Sequence, residues 1–184
     1  MNKALVFGIV FLTLLQFHQW IIQPDGGEFK YRFFKETEPP PRIEKIYNYI
    51  FSKNIEPETA NNITMTIFNI EYDYGIQASL IMAIIETESG WNSLAVSRTG
   101  DKGLMQICMR VWYNYLLSNG FLEDENGIFD EVTNINIGVH IFQKNLVSHN
   151  NNIRLALFSY LGDSQEWYYQ RVIKNQIRIE RTLQ

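Results

Sequence analysis

The sequence predicts an all-α domain of about seven helices behind an apolar N-terminal segment. Apolar residues recur at spacings of three and four in one window after another from residue 43 onward, the period of a helix with one buried face. No two-residue alternation longer than a few residues and no hairpin turn signal interrupts them. The windows are separated by glycine, proline and short polar residues, which stop or cap helices. With 184 residues, 46% of them hydrophobic, the chain is large enough for one buried core, and it shows no internal repeat.

Residues 4–22 form a run of 19 without a charge, following Lys3. Its strongest part, residues 4–15, has the length of a signal-peptide core, and the whole approaches the roughly 20 residues that span a bilayer. No small-residue cleavage site follows, so residues 1–23 read as an uncleaved signal anchor with Trp20 at the interface, with a cleaved signal as the alternative. Either form exports the rest of the chain. Residues 24–42 lack periodicity and contain Pro39, Pro40 and Pro41, an extended and semi-rigid linker. Residues 43–184 form the domain.

Within the domain, Ile43, Ile46, Tyr47 and Ile50 mark a short amphipathic helix. Pro57 opens the next one, which Ile63, Ile67, Ile70 and Tyr74 carry to a stop at Gly75. A third helix runs from about Gln77 to Gly90, and a fourth covers residues 111–117. A long helix from about Asn134 shows Ile135, Val139, Phe142 and Leu146 on one face. Asn152 caps a helix with Ile153, Leu157 and Tyr160, and Ser164 caps the last, with Tyr169, Val172, Ile173 and Ile177.

In the third helix, Glu88 follows Ile81, Ile84 and Ile85 on a single stripe. Burying a carboxylate without a partner is costly, so a carboxyl placed there is a candidate for a raised pKa and for proton donation near neutral pH. Glu86, two residues away, points elsewhere and reads as solvated.

Other chemistries find little support. The net charge of −4 and pI near 5.4 argue against a broad nucleic-acid surface. Cys108, the single cysteine, lies between Ile107 and Met109 and reads as a buried, inert thiol. Three histidines without ligand-spaced partners give no metal site. The acidic residues 123–131 carry Gly127 out of place for a calcium-binding loop and read as solvated.

Three blocks in order, Glu88-Ser89-Gly90-Trp91-Asn92, Ala95-Val96-Ser97 and Gly103-Leu104-Met105-Gln106-Ile107, resemble the signature of soluble-type (SLT-domain) lytic transglycosylases of the lysozyme superfamily. Phe129-Asp130 before Asn134-Ile135-Asn136-Ile137-Gly138, and the segment Leu155-Ala156-Leu157-Phe158-Ser159-Tyr160, resemble further parts of that family. The resemblance covers roughly residues 74–162 and implies a lysozyme-like fold of the goose-type lysozyme and transglycosylase kind. It implies cleavage of the β-1,4 bond between N-acetylmuramic acid and N-acetylglucosamine in peptidoglycan. It also implies attack by the sugar's own C6 hydroxyl, which closes a 1,6-anhydro ring. Glu88 would act first as general acid and then as base, so one carboxylate suffices and no cofactor or metal is needed. By position Tyr160 would hydrogen-bond and orient the Glu88 carboxyl. Ser89 would bond near the acid or the substrate, and Met105 and Gln106, with Leu104 beside them, would line the sugar groove. Gly103 would let the backbone pass close to the sugar.

Two departures stand out. Tyr160 is followed by Leu161-Gly162-Asp163 where the family usually has Asn-Ala-Gly, and Asp101-Lys102 occupy places where small residues are common. An Asp101 that reached the groove could position a water and favour hydrolysis over ring closure. The alternatives are therefore a hydrolytic muramidase on the same fold, or a non-catalytic peptidoglycan-binding or assembly component. The expected partners are peptidoglycan glycan strands, the membrane through the N-terminal segment, and envelope machinery for secretion, conjugation or phage. The expected location is the cell envelope, anchored to the inner membrane facing the periplasm or secreted into it.

Overall fold

Pro41 starts the first helix among the described residues, since a proline at the first helical position loses no hydrogen bond. In the computed structural model, which describes residues 21–22, 31–32 and 41–184, this helix, α1, spans Pro41–Phe51 and begins just inside the expected linker. The expected anchor, residues 1–23, lies outside the described residues except for Ile21–Ile22, which form strand β1 paired antiparallel with β2 (Tyr31–Arg32). Among the described residues no helix is long and apolar enough to cross a membrane. The chain divides into two units, residues 1–61 and 62–184. In the first, α1 buries Ile43, Ile46, Tyr47 and Ile50, the stripe its sequence predicts, and stacks Tyr47 on Phe51.

Helix α2 (Pro57–Tyr74) crosses the division and ends at Gly75, which takes a positive φ of 67°. Beyond it the second unit contains α3 (Ala78–Glu88), β3 (Asp101–Lys102), β4 (Ile107–Cys108), α4 (Met109–Ser118), a 3-10 turn (Asn126–Phe129), α5 (Glu131–Ser148), α6 (Ile153–Leu161) and α7 (Glu166–Leu183). Seven α-helices and almost no sheet among the described residues agree with the predicted all-α class. The small β3–β4 hairpin carries no strand periodicity that the sequence could reveal, being only two residues on each side.

Helix α3 is the centre of this unit. Every residue from Ala78 to Ile85 is buried, so it is apolar all round rather than on one face. Its first N–H, on Ala78, is satisfied by the Glu71 carboxylate of α2 at 2.9 Å. Along one side it packs against α7, which buries Tyr168, Val172, Ile179 and Leu183. Polar groups edge that packing: Asn175 donates to Thr87 at 3.1 Å, Gln176 to Gln77 at 2.8 Å, and Arg178 pairs with Glu86 at 2.5 Å. Glu86 is therefore ion-paired, not merely solvated as expected. Of the expected stripe Tyr169, Val172, Ile173 and Ile177, Val172 is buried, but Tyr168 takes the place of Tyr169 and Ile177 is 49% exposed. A one-residue error rotates a helix by about 100°. Helix α7 starts from Gln165 with no side-chain cap, so Ser164 does not serve as the cap.

Helix α5 holds the turn between β3 and β4 through Asn134, which is 1% exposed. Its Oδ1 accepts from the Met105 N–H at 2.8 Å, and its Nδ2 donates to Ile128 O at 2.9 Å and Lys102 O at 3.1 Å. One amide thus satisfies three backbone groups from two loops. Asp130 caps α5 through the Thr133 N–H at 2.7 Å, placing its start before the Asn134 that the sequence suggests. Within the acidic residues 123–131, Asn126–Phe129 form a 3-10 turn braced by Asp124, whose carboxylate accepts from the Asn126 and Gly127 N–H groups.

Replacing Asn134 by Ala leaves the Met105 N–H and the Ile128 carbonyl buried without partners. About 1–3 kcal/mol is expected for each orphaned group. A urea unfolding midpoint measured for Asn134→Ala should fall clearly below that of the parent, whereas the exposed control Asn136→Ala should leave it nearly unchanged.

Candidate active site

A cavity of about 230 Å³ opens beside the end of α3. Its wall is built by Glu88 from α3, Thr99 and Asp101 around β3, Gln106 to Cys108 at β4, Arg110 and Trp112 of α4, Ile141 of α5, and Tyr160 and Leu161 of α6. Six elements of one unit therefore line the cavity that holds the carboxyl group singled out by the isoleucine stripe.

Glu88 reaches the cavity as the last residue of α3, one turn beyond the buried Ile84 and Ile85. Burial pushes its carboxyl up to about 7; the neighbouring Asp101 charge adds to this and a hydrogen bond from Tyr168 opposes it. Desolvation dominates because the charged form loses water that one hydroxyl does not replace. Near neutral pH the group can give a proton and take one back.

The expectation that Tyr160 hydrogen-bonds and orients this carboxyl is not met. The Tyr160 hydroxyl donates to the Met105 carbonyl at 2.8 Å, and its ring meets Phe142 edge-on. The Glu88 Oε1 is bonded by Tyr168, eight residues further on and one helix later. Tyr160 still stands in the cavity wall. Burial, followed by the Glu88 charge, holds both tyrosines well above their ordinary pKa, so both remain neutral donors. The signal for Tyr168 is present in the sequence as the 4-7-4 spacing of Tyr168, Val172, Ile179 and Leu183, on the stripe next to the one that the isoleucines suggest.

The turn from Gly103 to Gln106 sorts its residues differently from the expected groove lining. Met105 is fully buried and packs on Gly138, where an added Cβ would lie 2.4 Å from its sulfur. Leu104 is 1% exposed and also belongs to the core. Gln106 does line the cavity, with a positive φ of 49° and its amide donating to Gly103 O at 2.8 Å and Ala95 O at 3.2 Å. Gly103 has φ of 79°, and an added Cβ would fall 2.1 Å from Asn134 Nδ2. The close approach that requires glycine is therefore made by Asn134. Ser89 caps the end of α3, donating to Ile85 O and accepting from the Trp91 N–H, both at 3.2 Å, and does not line the cavity. Cys108 is half-buried in the cavity wall, more open than its apolar neighbours suggest.

Asp101 enters the cavity from β3. Its Oδ2 accepts from the Thr99 hydroxyl at 2.6 Å and the Ser97 hydroxyl at 2.9 Å. Burial alone would raise its pKa. The hydrogen bonds from Thr99, Ser97 and Cys108, together with the Arg110 charge, outweigh burial and hold the carboxyl below the usual aspartate value. Two carboxyl groups on one cavity are thus driven in opposite directions. No group of three or more His, Cys, Asp or Glu residues among those described could hold a metal ion.

Over 34 residues the chain is 59% identical to membrane-bound lytic murein transglycosylase C of Pectobacterium atrosepticum, a stretch covering 18% of this chain and 10% of that protein. It is 56% identical over 34 residues, with the same two shares, to the proteins of that name from Yersinia pestis and Yersinia pseudotuberculosis. The matched stretch thus spans about a tenth of the length of these relatives. No solved structure matches. The model of the family described as Transglycosylase SLT domain matches residues 65–176, which include every residue of the cavity wall and both tyrosines. With well over half its length in that match, the chain belongs to the Transglycosylase SLT domain family.

Proposed function

We propose that the chain is a peptidoglycan lytic transglycosylase. In this reading it cleaves the β-1,4 bond between N-acetylmuramic acid and N-acetylglucosamine and leaves a 1,6-anhydro-muramic acid end. The observation that carries the reading is Glu88: a carboxyl on an open cavity, inside the family match, with its pKa raised to about 7.

A glycosidic oxygen leaves poorly unless it is protonated as the bond breaks. Glu88 gives its proton to that oxygen, and the bonding electron pair departs with it. The muramic acid C6 hydroxyl then attacks the anomeric carbon, and the Glu88 carboxylate takes the hydroxyl proton. The residue returns to its starting form and no water is consumed. Tyr168 is the positioning residue: its hydroxyl fixes one carboxyl oxygen and stabilises the ionised form that acts as base. Trp112, Gln106 and Tyr160 are the cavity-wall residues available to the sugars, one through an aromatic face and two through polar groups. Cavity position supports Gln106 in this substrate role more than Ser89, Gly103, Leu104 or Met105.

The expected setting is the cell envelope, with the uncharged run of residues 4–22 attaching the chain to the membrane or exporting it. Secretion, conjugation or phage machinery that opens the wall locally would use such an enzyme.

Glu88→Gln keeps the shape of the side chain and removes its proton. Digestion of purified peptidoglycan by the full chain, followed by mass spectrometry, should yield anhydro-muramic ends, with the variant slower by about 10²–10⁴-fold. Equal rates for the two proteins would overturn the acid assignment. Binding of glycan with no product from either would identify a non-catalytic wall-binding component. Reducing muramic ends without the anhydro form would identify a hydrolase.

The acid must be protonated at the start of each turnover, so activity should fall as pH rises through about 7. Tyr168→Phe removes a bond that favours the ionised carboxyl, so this alkaline limb should move to higher pH. Its kcat should also fall, by up to about tenfold for one hydrogen bond. A pH–rate profile with an unmoved alkaline limb would show that Tyr168 does not act on Glu88.

A further inference from the structure

Nothing in a single-carboxylate mechanism requires Asp101. It is nonetheless one of the most firmly held side chains of the cavity. Its Oδ2 is gripped by the Ser97 and Thr99 hydroxyls, and its backbone is locked into the β3–β4 hairpin opposite Cys108. The Ser97 Oγ also accepts the Asp101 N–H at 3.0 Å and the Thr99 N–H at 3.2 Å, so loop and carboxylate form one rigid unit. This unit and Glu88 share the same cavity of about 230 Å³.

We propose that Asp101 is a second carboxylate of the reaction, an anion fixed on the cavity wall that stabilises the positive charge developing at the anomeric carbon. The proposal rests on the glycan-cleaving reading above and adds a residue to it. When the glycosidic bond breaks, its electron pair leaves on the oxygen that receives the Glu88 proton. The anomeric carbon and the ring oxygen then share a positive charge until the C6 hydroxyl oxygen supplies a new pair. Asp101 forms no bond and moves no proton; it lowers the energy of that cation by charge alone. A preorganised anion is effective because nothing reorients during the reaction.

The surroundings suit this role. The ionisable groups on the wall around Asp101 are Glu88 from α3, Cys108 from β4, Arg110 from α4 and Tyr160 from α6. Glu88 starts the reaction neutral and Tyr160 stays neutral, so neither adds a negative charge beside Asp101 before the proton is given. Lys102, the next residue in β3, is engaged by Glu125 at 2.6 Å. The opposite pKa displacements of Glu88 and Asp101 leave a wide pH range in which one is protonated and the other ionised. That is the state acid-assisted glycoside cleavage needs.

The test compares the full chain with Asp101→Asn on soluble glycan strands. The amide preserves size and one acceptor for the two hydroxyls. The expected result is a kcat about 10²-fold lower, a KM within about twofold and an unchanged thermal melting point. A second variant, Ser97→Ala with Thr99→Ala, keeps the carboxylate and removes its two hydroxyl donors. Two of the contacts that oppose burial are then gone, with Cys108 and Arg110 remaining, so the acid limb of its pH–rate profile should move to higher pH while the alkaline limb of Glu88 stays near 7. An unchanged kcat in a folded Asp101→Asn variant would overturn the proposal. If that variant does not fold, the double variant decides, and an unmoved acid limb would overturn the proposal. Absence of product from the unaltered chain would overturn the cleavage reading itself, a different result from an active chain indifferent to Asp101.

Discussion

Helix α3 ends with its carboxyl on the cavity, and α7 packs along the helix. That packing brings the Tyr168 hydroxyl to the carboxyl, whose burial raises the Glu88 pKa. Tyr168, Val172, Ile179 and Leu183 form a continuous buried edge, and a shift of α7 by one residue would take Tyr168 away from Glu88. The polar pairs flanking the edge, Gln77 with Gln176, Thr87 with Asn175 and Glu86 with Arg178, fix that register. Half-exposed pairs of this kind add little stability, so their effect is chiefly on alignment.

A second constraint acts at the hairpin. The Asn134 amide bonds Lys102 before the turn from Gly103 to Gln106, Met105 within it and Ile128 of the 3-10 turn, and Tyr160 takes the Met105 carbonyl. The turn is thereby held between α5 and α6, with Met105 pressed against Gly138. Its buried half is structural, and only its Gln106 end faces the cavity. Residues that share a signature block can therefore do unlike work. Gly103 and Met105 shape the wall from behind, while Gln106, Asp101 and Glu88 present chemistry at its surface.

Electrostatically, the cavity separates two carboxyl groups by their environments. Glu88 meets one hydroxyl and an apolar helix face, whereas Asp101 meets two hydroxyls, a thiol and a nearby guanidinium. Donors to the charged form and loss of water act in opposite senses, and which prevails depends on how many donors each group receives. Two neutral tyrosine hydroxyls complete the arrangement, each bound to a named acceptor.

The sequence by itself determined the all-α class, most helix positions and the unusual placement of Glu88, because each rests on spacing within a few residues. Ile81, Ile84, Ile85 and Glu88 lie on one helix and need no partner to be recognised. Gly75 as a stop and Asn152 as a cap are equally local. Tertiary structure alone decided which tyrosine serves the acid, since Tyr160 and Tyr168 are both aromatic residues on helices and differ only in what those helices face. It also decided that the glycine at 103 answers to Asn134, 31 residues away in the chain and against it in space, and that Asp101 shares a wall with Glu88. Local spacing reports a residue's own face, whereas the identity of its neighbour depends on how the helices turn against one another, which an error of one residue is enough to hide.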